Sequence, residues 1–96
     1  MNINVSKEAF SWFLEEMNAT NGDYIKFFVR YGGVSSISDS YSLGVSKENP
    51  SDVIASCEID NITFYIEEED AWYFNGYDLH VKYNVDADEI EYIHKK

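Results

Sequence analysis

The sequence contains a single cysteine, Cys57, so the chain cannot form an internal disulfide. Structural zinc and iron–sulfur sites usually carry closely spaced cysteines or histidines, and no such pair occurs here. The first ten residues, MNINVSKEAF, also lack the basic and then apolar profile of a secretory signal. These absences favour a cytoplasmic protein.

Basic residues are also scarce, because 7 lysines and arginines stand against 18 aspartates and glutamates, which gives a formal net charge of −11. A negative field of this kind repels nucleic-acid phosphates and anionic lipid headgroups, and it favours cations or basic protein surfaces. No apolar run approaches the roughly 20 residues needed to cross a bilayer. We therefore expect neither nucleic acid nor a membrane as a partner.

Hydrophobic residues, in contrast, are plentiful. They make up 45% of the chain and aromatic residues make up 17%, which is enough to form a folded core despite the charge. A length of 96 residues accommodates one such core. The sequence therefore predicts a single domain over residues 1–96.

The segment from residue 6 to residue 17 has the spacing of an amphipathic helix. Its apolar residues at i, i+3, i+4 and i+7 are Phe10, Phe13, Leu14 and Met17. Ser6 is a suitable N-cap, and Gly22 supplies a permissive backbone for the following stop. The pattern predicts one helix near the N-terminus.

The rest of the chain is dominated by alternating segments that predict strands, namely YIKFFVRY, YSLGVS, VIASCEI, ITFYIE, LHVKY and EIEYIH. A hairpin loop is expected around residues 32–40, and Asp60-Asn61 suits a two-residue hairpin turn. Acidic residues predict the start of a second short helix near residues 67–74. These elements predict an α+β fold of twisted, mostly antiparallel or mixed β-structure. The predicted core contains Phe10, Phe13, Leu14, Ile25, Phe27, Val29, Leu43, Ile62, Phe64, Ile66, Leu79 and Val81.

Three residues are weak candidates for binding a metal: Cys57, His80 and His94. They lie on three different predicted strands, so they converge only if the strand register brings them together. The simpler alternative is a buried thiol and two strand histidines that face water or neighbouring residues. No nucleophile–base pair can be argued from the spacing, which favours a non-catalytic protein.

Two further clusters allow a structural or a functional interpretation. Trp72, Tyr73, Phe74 and Tyr77 are dense enough for a binding surface, but in a small domain they more often close one end of the core. Acidic residues near the C-terminus recur at Asp86, Asp88, Glu89 and Glu91. Such like charges most often protect an edge strand from pairing with another molecule.

The segment VRYGGVSS contains the glycine pair Gly32-Gly33, and FNGYDLHVKY follows the second predicted helix. Together with the order of elements, these segments resemble the HesB-like domain, the fold of the A-type iron–sulfur carriers, over nearly the whole chain. Val29, Arg30 and Gly33 match the strand and cluster-binding loop of that family. Gly76 and Leu79 match its segment after the short helix.

The resemblance implies a HesB-like fold, but the three expected cluster-ligand cysteines are absent: Val34 stands at the loop position, and the chain ends in EYIHKK. Iron or an iron–sulfur cluster is therefore implied by family analogy alone, and no cofactor is predicted. The candidate functional surface is the loop that begins with Gly32, Gly33, Val34, Ser35 and Ser36, which we expect to be adaptable.

Two functions follow from this resemblance. The first is a non-catalytic interaction module, related to iron–sulfur cluster biogenesis, with a protein partner in iron–sulfur or redox metabolism. The alternative is a weak iron or zinc carrier that uses Cys57, His80 or His94 with nearby carboxylates. The sequence is also compatible with a homodimer.

Overall fold

The protein is described by a computed structural model that covers residues 1–31 and 41–96. The helices are α1 (Lys7–Glu16) and α2 (Ala71–Phe74), and a 3₁₀ turn over Glu68–Asp70 precedes α2. The strands are β1 (Ile3–Val5), β2 (Tyr24–Tyr31), β3 (Tyr41–Lys47), β4 (Val53–Ile59), β5 (Ile62–Glu67), β6 (Asp78–Asn84) and β7 (Glu89–Lys95). The predicted α+β class and the second short helix are confirmed.

The strands form two mixed sheets, with the orders β3-β2-β5-β4 and β1-β6-β7. Each sheet contains one parallel pair, β2 with β5 and β1 with β6, while the remaining pairs are antiparallel. The loop predicted over residues 32–40 lies outside the described residues, although the strands on either side of it pair antiparallel as a hairpin requires. β1 was not predicted, because its 3 residues are too few to show an alternating pattern.

Helix α1 begins as the sequence predicts, since the backbone N–H of Ala9 donates to the Ser6 side-chain oxygen over 3.1 Å. Its buried stripe runs through Ala9, Phe10 and Phe13. The prediction that Leu14 belongs to the core is wrong, because its side chain is 40% exposed. At about 100° per residue, Leu14 falls on the flank of the stripe that Phe10 and Phe13 define.

The core lies between α1 and the two sheets, and aromatic rings connect all three. The Phe13 ring lies 5.2 Å from Phe64 on β5 and 6.0 Å from Phe27 on β2, measured between centroids. Phe27 in turn meets Tyr92 of the second sheet at 6.0 Å. The predicted core residues that are buried are Phe10, Phe13, Ile25, Phe27, Ile62, Phe64, Ile66, Leu79 and Val81. Val29 and Leu43 are half-buried instead, because they pair with each other beyond the segment Tyr24–Lys26, where β5 flanks β2.

Two turns require the left-handed backbone region, and the sequence supplies residues that tolerate it. Asp60 and Asn61 have φ values of +49° and +65°, and they join β4 to β5 as the predicted two-residue hairpin. Asn75 and Gly76, with φ values of +48° and +78°, turn the chain from α2 into β6. No helix among the described residues is long and apolar enough to cross a membrane.

A candidate interaction surface at the aromatic end of the core

The predicted metal candidates are not brought together. Cys57 lies on β4 in the first sheet, whereas His80 and His94 lie on β6 and β7 in the second. His80 is opposite Ile93 and His94 is opposite Leu79, so the two histidines project from opposite faces of their sheet. Within residues 1–31 and 41–96, no group of three or more potential ligands is arranged to hold a metal ion.

Cys57 has the environment of a structural thiol. It pairs with Phe64 across β4 and β5 and packs, half-buried, against the core. Burial raises the pKa of this thiol, which keeps it protonated at neutral pH. A protonated thiol is a poor nucleophile and a poor metal ligand, so Cys57 has no chemical role that its surroundings support.

Five rings from three elements meet at one end of the core, and we call this group the aromatic surface: Tyr41, Trp72, Tyr73, Phe74 and His94. The Tyr41 ring lies 5.2 Å from Trp72 and 6.3 Å from Tyr73, between centroids. His94 stacks on Phe74 at 5.3 Å, with an angle of 14° between the ring planes. These contacts join β3 and β7 to α2. Tyr41 and His94 each lie 20 or more residues in sequence from the α2 rings that they contact.

The aromatic surface is buried at its base and open at its top. Phe74 is fully enclosed, so the predicted role of these aromatics as a plug for the core is right for this residue. The same prediction is wrong for Trp72, which is 58% exposed, and Tyr41 beside it is 37% exposed. Helix α2 has only 4 residues and turns one side toward the core, which leaves Trp72 on the opposite side. The result is a rigid, exposed aromatic pair on a packed base.

Asp70 anchors this end of the molecule to β2. Strand β5 pairs with β2 only from Tyr24 to Lys26, and beyond that point the Asp70 carboxylate takes the place of a neighbouring strand. Its Oδ1 accepts a hydrogen bond from the backbone N–H of Val29 over 3.1 Å. The other carboxylate oxygen is buried and has no hydrogen-bond partner in the described part of the chain. Burial is the main cause that raises the pKa of Asp70 above its ordinary value of 3.8.

Replacing Asp70 tests this anchor. We expect Asp70→Asn to be more stable than Asp70→Ala by about 1 kcal/mol, because the amide oxygen still accepts the Val29 hydrogen bond. Since the folded-state pKa of Asp70 is raised, its contribution to stability is fully present below pH 3.8 and decreases as the pH rises through the folded-state value. Denaturation between pH 3 and pH 7 should therefore show that the wild type loses stability relative to Asp70→Asn as the pH rises. Equal stability of Asp70→Asn and Asp70→Ala would contradict this role. So would a stability difference between the wild type and Asp70→Asn that stays constant with pH.

A concave feature beside the aromatic surface is small. It is lined by Tyr73, Phe74, Asn75, Tyr77 and His94, and it encloses about 180 Å³. Pockets that bind small molecules usually enclose roughly 300 to 1,000 Å³. The exposed face beside this pocket consists of Trp72 and Tyr41, and tryptophan and tyrosine are enriched at protein–protein interfaces.

Comparison with known proteins identifies relatives that cover almost the whole chain. The chain is 47% identical over 89 residues to the pyruvate dehydrogenase inhibitor of Bacillus subtilis, a match that spans 93% of this chain and 94% of the relative. The chain belongs to the family of this inhibitor. An uncharacterized protein of Staphylococcus saprophyticus is 38% identical over 98 residues, covering 99% of this chain and 100% of the relative. One of Staphylococcus aureus is 35% identical over 100 residues, with the same coverage of 99% and 100%.

Membership of the pyruvate dehydrogenase inhibitor family corrects the function predicted from the sequence. No family model matches the chain, and no solved structure matches it significantly. The predicted role in iron–sulfur cluster biogenesis is wrong, because the characterized relative is named for pyruvate dehydrogenase. The alternative of a weak iron or zinc carrier that uses Cys57, His80 or His94 with nearby carboxylates is contradicted by the same relative. The structure also does not bring these three residues together, as they lie on separate sheets or faces.

Sequence reasoning found part of the aromatic surface and missed the rest. Trp72, Tyr73 and Phe74 were recognised from their density, but Tyr41 was not, and neither was Asp70, which anchors this end of the molecule to β2. Tyr41 begins the strand that follows the predicted loop, so its place beside α2 depends on the packing of distant elements. The predicted functional loop residues Gly32, Gly33, Val34, Ser35 and Ser36 lie outside the described residues.

Proposed function

We propose that this protein is a non-catalytic inhibitor that binds pyruvate dehydrogenase. The observation that carries the proposal is the 47% identity to the Bacillus subtilis pyruvate dehydrogenase inhibitor, over 93% of this chain. The match spans almost the whole length of both proteins, so it is not limited to a shared structural fragment. The proposal keeps the protein partner that the sequence predicted, but this partner belongs to pyruvate metabolism and not to iron–sulfur metabolism.

A non-catalytic mechanism fits the chemistry of the described residues. The thiol of Cys57 is protonated and half-buried, and it lies in a different sheet from both histidines. His94 packs against both Tyr73 and Phe74, where it supports the aromatic surface. Binding is then sufficient for inhibition if the occupied surface of pyruvate dehydrogenase is needed for its reaction.

The aromatic surface is the part of the molecule that we propose for this contact. Tryptophan and tyrosine are enriched among residues that dominate binding energy, because they bury a large area with few rotatable bonds. Trp72 is held edge-on against Tyr41 at 5.2 Å and Tyr73 at 5.7 Å, so little conformational freedom remains to be lost on binding. A preorganised and exposed tryptophan is a strong candidate for the central anchor of an interface.

The proposal is tested by adding the purified protein to the pyruvate dehydrogenase complex of Bacillus subtilis and measuring the rate of pyruvate oxidation. We expect a saturable decrease in rate with the wild type. Trp72→Ala should require a concentration higher by roughly 10- to 100-fold for half inhibition, which corresponds to the loss of a dominant interface residue. Denaturation should show nearly unchanged stability for this variant, because the side chain is mostly exposed.

Tyr24→Ala provides a matched control. Tyr24 is another exposed aromatic residue, but it lies at the opposite end of β2 from the aromatic surface. This variant should inhibit as the wild type does. Absence of inhibition by the wild type at concentrations far above those of the complex would contradict the proposed function. If Trp72→Ala inhibited as strongly as the wild type, the aromatic surface would not be the contact surface, but the proposed inhibitory function would stand.

The HesB-like assignment of the fold stays a prediction. The α+β class agrees with it, while the absence of a matching family model or solved structure leaves it without independent support. Cytoplasmic location, the single domain and the compatibility with a homodimer also stay predictions.

A further inference from the structure

A second surface, which shares no residue with the aromatic one, combines apolar side chains with carboxylates. It lies between α1 and the turn that connects β6 to β7, and we call it the α1 groove. We call its apolar and aromatic lining residues the floor, and its lining carboxylates the rim. The floor consists of Trp12, Tyr83 and Val85, the rim consists of Glu8, Glu15, Glu16 and Asp88, and Ser11 completes the lining. The groove encloses about 320 Å³, at the low end of the range for ligand sites, which suits one or two side chains of a partner.

The floor of the α1 groove is largely apolar, and its tryptophan packs against the core. Val85 is 72% exposed, more than any other large hydrophobic residue in the described part of the chain. Trp12 is half-buried and lies edge-on to the buried Phe13 ring at 5.2 Å, which restricts its orientation. An exposed valine beside a fixed tryptophan provides a site where an apolar side chain of a partner can be removed from water.

The rim of the groove is negative, and the residues that line it include no basic side chain. The ion pairs of Lys26 with Glu69 and of Lys47 with Asp23 both lie outside the groove. The Tyr83 hydroxyl donates a hydrogen bond to Asp88, and this bond raises the pKa of Tyr83, with smaller contributions from Glu15 and Glu16. Glu15 and Glu16 of α1 and Asp88 of the turn therefore all act on the Tyr83 hydroxyl.

A metal ion is a poor occupant of this site, because no cluster of potential ligands with metal-binding geometry occurs in residues 1–31 and 41–96. The carboxylates instead line the groove together with apolar side chains, which suits a ligand that combines positive charges with an apolar group. We infer that the α1 groove binds a protein segment in which lysine or arginine residues flank one apolar side chain. This inference is independent of the proposed inhibition of pyruvate dehydrogenase.

The inference can be tested with the synthetic peptides KKLKK and KKGKK, both acetylated and amidated. Trp12 serves as the fluorescent reporter in a Trp72→Phe background, since the chain has two tryptophans. We expect KKLKK to bind saturably in a one-to-one complex, and KKGKK to bind roughly tenfold or more weakly because it lacks the apolar anchor. Glu15→Gln/Glu16→Gln should weaken the binding of KKLKK roughly fivefold, and added salt should reduce the difference.

The control variant Glu58→Gln/Glu68→Gln removes the same charge from exposed positions outside the groove, on β4 and in the 3₁₀ turn. It should bind KKLKK as the unsubstituted reporter protein does. An equal loss of binding in both double variants would mean that the peptide responds only to the net charge, and it would overturn the inference. So would equal binding of the two peptides, or the absence of saturable binding of KKLKK. Far-ultraviolet circular dichroism verifies that each variant is folded.

Discussion

Phe13→Ala is expected to lower the free energy of unfolding by about 3–5 kcal/mol. The Phe13 side chain is completely buried and contacts the rings of Phe27 and Phe64, so it connects α1 to both inner strands of the first sheet. Its removal leaves a cavity that the stacked rings of Phe27 and Phe64 cannot fill without losing their own packing. Domains of this size are stable by only about 5–15 kcal/mol, so the loss is a large fraction of the total.

The measurement is urea denaturation followed by circular dichroism, with Leu14→Ala as the control. Leu14 is the next residue of the same helix, but it lies on the exposed flank, and we expect its replacement to cost less than about 1 kcal/mol. The pair separates burial from helix propensity, because each variant places alanine in the middle of α1. Similar losses for the two variants would show that the core is not organised around Phe13.

Phe74→Ala is expected to affect both stability and function. The Phe74 side chain is buried and stacks on His94, and it meets Tyr73 edge-on at 5.6 Å. Truncation should lower the free energy of unfolding by about 3–4 kcal/mol. It should also release α2, which has only 4 residues and little stability of its own, so that Trp72 loses its fixed position.

Comparison of Phe74→Ala with Trp72→Ala distinguishes the base of the aromatic surface from its contact residue. Urea denaturation should show a large loss of stability for Phe74→Ala alone, whereas the inhibition assay should show a loss of potency for both. The inhibition assay must be run at low temperature, where the Phe74 variant remains folded. Full inhibition by folded Phe74→Ala would contradict the view that the base positions Trp72.

Most of the secondary structure could be predicted from local patterns. The Ser6 cap, the buried positions Phe10 and Phe13, and the Asp60-Asn61 turn each depend on residues within a few positions of one another. Interactions of this kind are determined by backbone geometry and side-chain spacing, and they hold whatever the rest of the fold does.

The errors arose where distant elements decide the outcome. Tyr65 was not predicted to be buried because it alternates with the core residues Phe64 and Ile66, but β5 lies inside its sheet and is covered on both faces. The Tyr65 hydroxyl accordingly donates to the backbone oxygen of Glu48 over 2.8 Å. Periodicity within one strand carries no information about what covers its second face.

The site was harder to predict than the fold, for a physical reason. The resemblance to the iron–sulfur carriers was based on glycines and apolar residues such as Gly76 and Leu79, which serve backbone geometry and packing. Those residues say little about function, since a scaffold without its ligand side chains does not retain the chemistry. The aromatic surface is created by tertiary contact between Tyr41, Trp72 and His94, and its members are not neighbours in the sequence.

The parallel pairing of β1 with β6 also affects how the protein matures during translation. The backbone N–H of Asn2 donates to the Asp78 carboxylate over 2.7 Å, a contact between residues 76 positions apart. A nascent chain cannot complete this sheet until β6 has left the ribosome. Until then, part of the apolar side of α1 remains exposed. Ribosomal stalling before β6 should therefore leave a product that proteases degrade rapidly, which makes the cellular amount of this protein sensitive to the rate of elongation.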